Sequence, residues 1–208
     1  MTDDALADWV APARTALLIV DMQVDFASPD GVLGRAGVDL SAMPAALASA
    51  GQLAEAARAA GTPVVFAGLQ TRQETDSAAW NEWMRRRGEA GGEPLCRAGQ
   101  PGAAFYGPQP VDGERVIGKP RYSAFFGTDL DAVLETMGVD TLVIAGVTTE
   151  CCVDCTARDA FHLDYHVFIP ADACAAYEAD LHEGALKALG LNCAIVVDTE
   201  ALLAAWRP

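Results

Sequence analysis

Basic residues are scarce in this 208-residue chain. Lys and Arg together number 14 against 29 Asp and Glu, which gives a formal net charge of −15. A surface that binds nucleic acid needs clustered positive charge to neutralise phosphates, so this balance excludes a nucleic-acid partner. The acidic residues are spread along the chain and not gathered into a tail, a pattern that favours solubility.

Long hydrophobic runs are also missing. The apolar runs have the length of strands and are too short to cross a bilayer. The first twenty residues are acidic and lack the basic stretch that opens a secretory signal peptide. We therefore expect no membrane partner and a cytoplasmic location.

A disulfide framework is not expected either. Six cysteines occur, at positions 96, 151, 152, 155, 174 and 193. The chain is long and two of the cysteines are adjacent, so reduced thiols are the simplest interpretation. Cys151, Cys152 and Cys155 leave a thiol-redox or zinc-binding protein open as an alternative. A single C-x-x-C pattern without a second ligand pair is weak support for zinc, and Cys155 is expected in the core.

Apolar segments alternate with helical ones along most of the chain. Segments of strand length and β-branched content lie at 15–20, 63–69, 114–118, 140–146, 166–170 and 193–197. Helical segments lie at 42–60, 129–137, 154–163, 181–189 and 199–206, and Gly61, Gly138 and Gly190 are expected to end three of them. Such βα alternation predicts one domain, residues 1–208. Its fold is a three-layer, doubly wound, mostly parallel six-stranded sheet, order 3-2-1-4-5-6, with helices on both faces.

The one long irregular region, residues 70–113, is rich in Gly, Pro, Arg and Trp. Loops of this length are usually functional lids or partner contacts. Trp80, Trp83 and Phe105 fall inside it and are candidates for core, subunit contact or pocket lining.

Three predicted strands are each followed by a residue with a charged or nucleophilic side chain. These residues are Asp21, Lys119 and Cys152. Ligands of doubly wound sheets bind beyond the carboxyl ends of the strands, where the strand order reverses. Strands 1 and 4 are neighbours there, so Asp21 and Cys152 should face each other with Lys119 within reach. Cys152 also precedes a helix, where backbone N–H groups favour a thiolate and an oxyanion. A cysteine, a base and a cation form a hydrolytic set, although a core cysteine and a structural ion pair remain alternatives.

Three motifs lie in the same segments: LLIVDMQVDF at 17–26, KPRYSAF at 119–125 with TDL at 128–130, and GVTTECCV at 146–153 with TARDA at 156–160. Together they resemble the isochorismatase-like cysteine hydrolases, across roughly residues 13–200. The nearest branch is that of N-carbamoylsarcosine, ureidoacrylate and biuret hydrolases. By position, the resemblance implies that Asp21, Lys119 and Cys152 are catalytic, and that the protein is a homodimer or homotetramer.

The resemblance also implies a cis peptide bond between Val147 and Thr148. The backbone N–H groups of Thr148 and Cys152 would then form the oxyanion hole. For the substrate pocket, the candidate walls and polar groups are Phe26, Arg72, Tyr122, Phe125 and Glu150.

Departures from related subfamilies narrow the expected reaction. Nicotinamidases hold a metal with histidines after the second strand, but residues 67–75 read AGLQTRQET without a histidine. We therefore expect neither a metal nor a cofactor. Ether-cleaving isochorismatases lack the nucleophilic cysteine, so Cys152 favours hydrolysis of a C–N bond in a small amide, ureido or carbamoyl substrate through a thioester. An amidase or esterase of a different, aromatic substrate is the alternative within the same chemistry.

Overall fold

A computed structural model describes residues 3–207. Within this range, seven strands form one sheet in which every pairing is parallel. The strands are β1 (Thr15–Val20), β2 (Val64–Leu69), β3 (Arg115–Lys119), β4 (Thr141–Val147), β5 (His166–Pro170), β6 (Cys174–Ala175) and β7 (Ile195–Val197).

The strand order is β3-β2-β1-β4-β5-β7, and β6 pairs with β4 beside this path. The predicted fold class and order are confirmed, because β7 is the sixth predicted strand. The count is seven instead of six, since the two-residue β6 also pairs with the end of β4 at Gly146 and Val147. A two-residue strand has no periodicity, so nothing in the sequence marks it.

Helices cover both faces of the sheet. They are α1 (Asp3–Trp9), α2 (Val24–Ala27), α3 (Val32–Arg35), α4 (Met43–Ala60), α5 (Ala78–Arg87), α6 (Leu130–Met137), α7 (Asp154–His162), α8 (Ala179–Asn192) and α9 (Thr199–Ala205). Among residues 3–207 no helix combines the length and apolar character that crossing a membrane requires.

Strand β1 is buried along its whole length and divides two cores. Leu18 and Val20 pack on one face with residues of α6 and α7, whereas Leu17 and Ile19 pack on the other with residues of α1, α4 and α9. Because successive strand side chains point to opposite faces, a continuous apolar run is what a strand covered on both sides requires.

Of the three helix ends predicted from glycines, two are correct and one is wrong. Helix α4 ends at Gly61 and α6 at Gly138, both in the left-handed conformation that glycine adopts without strain. Helix α8 instead begins at Ala179 and continues through Gly190 to Asn192. Gly190 lies against β7, where a Cβ would be 3.4 Å from Val196 Cγ2. Packing against the strand therefore outweighs the local cost of glycine in the helix.

Residues 70–113 are more regular than predicted. They contain helix α5 and two short 3-10 turns, Gln73–Thr75 and Pro101–Ala103. Helix α5 begins where the Ser77 hydroxyl accepts the N–H of Trp80 at 3.1 Å, and it ends at Gly88 in the left-handed conformation. These are ordinary start and stop signals, and no residue of α5 is buried in the chain.

Candidate active site

Strands β1, β3 and β4 end at the same edge of the sheet and bring Asp21, Lys119 and Cys152 together there. Asp21 is the first residue after β1, Lys119 is the last residue of β3, and Cys152 lies in a π-helical turn after β4. Asp21 has φ of +52°, a left-handed conformation that is uncommon for aspartate. Its N–H donates to the Ala67 carbonyl at 2.8 Å, which aligns this turn with β2.

Asp21 and Lys119 form a buried ion pair with 2.6 Å between Oδ2 and Nζ. Asp21 Oδ1 accepts the N–H of Leu69 at 2.7 Å, and Lys119 Nζ donates to the Arg121 carbonyl at 2.9 Å. The Cys152 thiol lies close enough to this pair to lower the pKa of Asp21 and raise that of Lys119. The three side chains predicted from strand ends therefore lie together.

The electrostatics of this cluster follow from its burial. Burial raises the pKa of Asp21, and Lys119, the Cys152 thiol and the Leu69 N–H only partly oppose this rise. Burial also lowers the pKa of Lys119, but attraction to Asp21 and Cys152 outweighs that effect, so its pKa is raised overall and it remains an ammonium ion.

The thiol of Cys152 differs from expectation. The adjacent Cys151 thiol, burial and the charge of Asp21 raise the pKa of Cys152 well above its usual value. Burial next to a carboxylate opposes a second negative charge, so it acts against the thiolate that the helix start was expected to favour. The raised pKa of Cys152 favours the protonated thiol, with the Asp21 carboxylate nearby.

The turn that carries Cys152 begins with the cis peptide bond Val147–Thr148 that the motif resemblance implied. The carbonyl of Thr148 accepts the N–H groups of Cys151 and Val153 at 3.2 and 3.1 Å. The Thr148 N–H has no acceptor among residues 3–207. This donor is available to a ligand, as an oxyanion hole requires.

A threonine ties this turn to the segment after Lys119. The Thr156 hydroxyl donates to the Cys152 carbonyl at 2.7 Å and accepts the N–H of Ala124 at 3.0 Å. At the end of β4, Gly146 lies so close to β1 that a Cβ would collide with the Val20 carbonyl. The close approach of these two strands therefore depends on glycine.

Three of the five predicted pocket residues lie beside the cluster. Tyr122 is 43% exposed with its ring centroid 6.1 Å from that of Trp80, and burial and the nearby cysteines raise the pKa of its phenol to about 12. Glu150 Oε1 accepts the Thr148 hydroxyl at 2.7 Å, and its Oε2 is buried without a protein partner among the described residues. Phe26 packs in a small apolar cluster with Val147, the residue before the cis bond.

The other two predicted pocket residues have different surroundings. Phe125 packs against the core beneath α6 and α7, with its ring centroid 5.9 Å from that of Tyr165. Arg72 is exposed, and its guanidinium makes no hydrogen bond or ion pair within residues 3–207. The apolar cluster against which Phe125 packs includes Cys152.

Sequence reasoning missed several buried polar groups around the site. Gln23 and Asp25, which follow Asp21 in the first motif, are 1% and 5% exposed. Asp25 accepts the N–H groups of Val32 and Cys96 at 3.1 and 2.7 Å. Polar residues at every second position of a buried motif were the available signal. Tyr177, whose hydroxyl donates to the Phe26 carbonyl at 3.0 Å, had no comparable signal.

The zinc and redox alternative gains no support from the geometry. Within the described part of the chain, no group of three or more His, Cys, Asp or Glu residues is arranged to hold a metal ion. Cys155 is partly exposed, contrary to the expectation that it lies in the core. His182 lies in the first turn of α8, and its Nδ1 lies 2.8 Å from the Thr149 hydroxyl.

Fold and site together define the class of protein. The isochorismatase domain family matches residues 15–201, so this chain belongs to the isochorismatase family. The family prediction made from the three motifs is confirmed.

The similar curated proteins include ureidoacrylate amidohydrolases. The RutB protein of Azorhizobium caulinodans is 37% identical over 177 residues, covering 79% of this chain and 77% of the relative. The RutB protein of Methylobacterium radiotolerans is 38% identical over 187 residues, covering 84% and 72%.

Similar solved structures have the same fold. A cysteine hydrolase from Pseudomonas syringae pv. phaseolicola superposes with a TM-score of 0.82 at 25% identity, covering 95% of this chain and 94% of that one. An N-carbamoylsarcosine amidase from Thermoplasma acidophilum gives 0.71 at 26% identity, covering 90% and 97%.

Proposed function

We propose that this protein is a cysteine-dependent amidohydrolase that cleaves a C–N bond of a small amide, ureido or carbamoyl compound through a thioester. The observation that carries the proposal is the enclosed Asp21–Lys119 ion pair, which lies beside the Cys152 thiol and is electrostatically linked to it. The amidohydrolases among the relatives support the reaction class.

In the first half-reaction Asp21 takes the proton of the Cys152 thiol as sulfur attacks the substrate carbonyl carbon. The carbonyl oxygen becomes an oxyanion, which the N–H groups of Thr148 and Cys152 stabilise. Lys119 keeps Asp21 ionised until that proton arrives. Asp21 then gives the proton to the departing nitrogen, because an amine leaves poorly as an anion.

In the second half-reaction water replaces the amine. Asp21, again ionised, accepts a proton from water while the water oxygen attacks the thioester carbon. The C–S bond breaks, and the sulfur recovers the proton from Asp21. The products are an amine or ammonia and a carboxylic acid, or a carbamate where the substrate is a ureido compound.

For the substrate we favour a planar ureido or carbamoyl group. The unpartnered Oε2 of Glu150 is an acceptor suited to the N–H donors of such a group. Tyr122 and Phe26 would form apolar walls, with Arg72 and Phe125 as weaker candidates for substrate contact. An aromatic amide or ester is the second candidate within the same chemistry.

A substrate panel tests this proposal. Purified protein is offered ureido, carbamoyl, carboxamide and aromatic ester compounds, with release of ammonia, amine or alcohol measured for wild type and Cys152→Ala. Intact-protein mass spectrometry on a slow substrate should show the acyl group added to wild type only. No turnover of any C–N substrate, or turnover that survives Cys152→Ala, would refute the proposal.

We further propose that residues 1–208 form a single catalytic domain that acts as a homodimer or homotetramer in the cytoplasm. All six cysteines are free in the structure, as suits a reducing compartment. The exposed indole rings of α5 support the proposed oligomer.

A further inference from the structure

We propose that Gln23 is a positioning residue, which holds Asp21 in its reactive place through the backbone of Leu69. The inference rests on the proposed function, in which Asp21 is the base. The side chain of Gln23 is 1% exposed, and its amide carries three hydrogen bonds. A buried amide with all these partners is strongly oriented.

Two of the three bonds are made with the backbone of a single residue, Leu69. Gln23 Oε1 accepts the N–H of Leu69 at 2.8 Å, and Nε2 donates to the Leu69 carbonyl at 3.0 Å. The same Leu69 N–H donates to Asp21 Oδ1 at 2.7 Å. Gln23 thus fixes the orientation of the backbone donor that holds the carboxylate.

Leu69 is also joined to the other member of the ion pair. It lies opposite Lys119 in the β2–β3 register, and the N–H of Gln70 donates to the Lys119 carbonyl at 2.9 Å. A shift of the strand end at Leu69 would therefore move Asp21 and Lys119 together. One side chain controls both charges because both depend on the end of β2.

The third bond connects Gln23 to the 3-10 turn Pro101–Ala103. Gln23 Nε2 donates to the Ala103 carbonyl at 2.7 Å, and the Gln23 backbone forms a bridge with Phe105. Gly68 leaves the room for this, since a Cβ there would lie 3.0 Å from Gln23 Nε2 and 3.1 Å from the Phe105 ring. Contacts this short force the neighbouring groups to move.

The expected consequence has a definite sign. Burial raises the pKa of Asp21, and the Leu69 N–H is one of the groups that oppose this rise. The Leu69 N–H is shared between Gln23 Oε1 and Asp21 Oδ1. Without the two bonds that anchor Leu69, the end of β2 shifts, which weakens the donation to Asp21 more than loss of the competing acceptor strengthens it, and the pKa of Asp21 rises further. Since Asp21 must be ionised to accept the thiol proton, the acidic limb of the rate profile moves to higher pH.

The test is Gln23→Met, which keeps the length of the side chain and removes its hydrogen bonds. We expect kcat to fall on the order of 10- to 100-fold, as for other small misplacements of reacting groups. KM should stay nearly constant and the acidic limb should move upward. The matched control is Gln52→Met, because Gln52 is exposed on α4, its amide makes no hydrogen bond among residues 3–207, and its replacement should leave rate and profile unchanged.

Gly68→Ala provides an independent perturbation, should Gln23→Met fail to fold. It pushes the Gln23 amide away from Leu69 without deleting it, so the limb should move in the same direction. An unchanged limb in the folded variant, or a loss confined to KM or to thermal stability, would overturn the inference.

A readout without substrate separates this inference from the proposed function. The rate of Cys152 alkylation by iodoacetamide is followed against pH, with tandem mass spectrometry distinguishing Cys152 from Cys151. In Gln23→Met the acidic limb of the alkylation rate should move to higher pH, as in the turnover profile. If wild type hydrolyses no C–N substrate but this shift is present, the proposed function fails and the role of Gln23 stands. If turnover is normal and no shift occurs, the proposed function stands and the role of Gln23 fails.

Discussion

Lys119 Nζ lies 2.6 Å from Asp21 Oδ2, and the two side chains are 0% and 1% exposed. Strand ends at an open cleft would have left both groups in contact with water, and the structure instead encloses them. Each buried charge therefore stabilises the other, both in the folded protein and in the proposed chemistry.

The first prediction concerns activity. Asp21→Asn and Lys119→Met should each lower turnover on the order of 10³- to 10⁴-fold or more, and the double variant little further, because members of one catalytic unit are non-additive. Turnover is measured per folded enzyme. Near-normal rates in both single variants would show that the pair is only structural.

The second prediction concerns stability, measured by urea unfolding of the same variants. Removing one partner leaves a buried charge alone, which should lower the free energy of unfolding by about 3–5 kcal/mol. The double variant Asp21→Asn with Lys119→Met should recover much of this loss, since no charge is left unpaired. Additive losses in the double variant would contradict the coupling.

A third prediction separates the neighbouring cysteines. Cys152→Ala should abolish turnover, because Cys152 is the cysteine whose thiol acts on the pKa of Asp21. Cys151→Ala and Cys155→Ala should keep most of it. Mapping the acyl group trapped from a slow substrate to Cys151 or Cys155 would make the assignment wrong.

The fourth prediction is that turnover does not need a metal ion. Residues 67–75 contain no histidine, and among residues 3–207 no group of three or more His, Cys, Asp or Glu residues is arranged to hold a metal ion. Dialysis against a chelator should leave the rate unchanged, with a known zinc hydrolase treated alongside as the control. A rate that is lost and then restored by zinc, manganese or iron would disprove this.

The fifth prediction is a homo-oligomer that buries α5. Trp80 and Trp83 are 39% and 45% exposed, and their ring centroids lie 5.0 Å apart on a helix with no buried residue. Light scattering should give a multiple of 21.8 kDa. Replacing both tryptophans with serine should reduce that mass, while the same change at exposed Leu191 should not. A monomer at working concentration would contradict the prediction.

Much of this protein could be predicted from local sequence pattern. Alternating apolar and helical segments indicated the sheet and its order, because burial on both faces requires continuous apolar strands. The residues at the strand ends indicated Asp21, Lys119 and Cys152, since parallel strands end at one edge. The motif resemblance supplied the family, the cis bond and the choice of Cys152 over its neighbour.

Only the tertiary structure decided how these groups behave. The adjacent Cys151 thiol, the burial of Cys152 and the charge of Asp21 raise the pKa of Cys152, against the local effect of a helix start, because desolvation depends on everything packed around a group. Gln23 acquires its role through Leu69, a residue distant in the chain. Strand patterns determine which residues reach the site, whereas burial and long-range hydrogen bonds determine their charge and orientation.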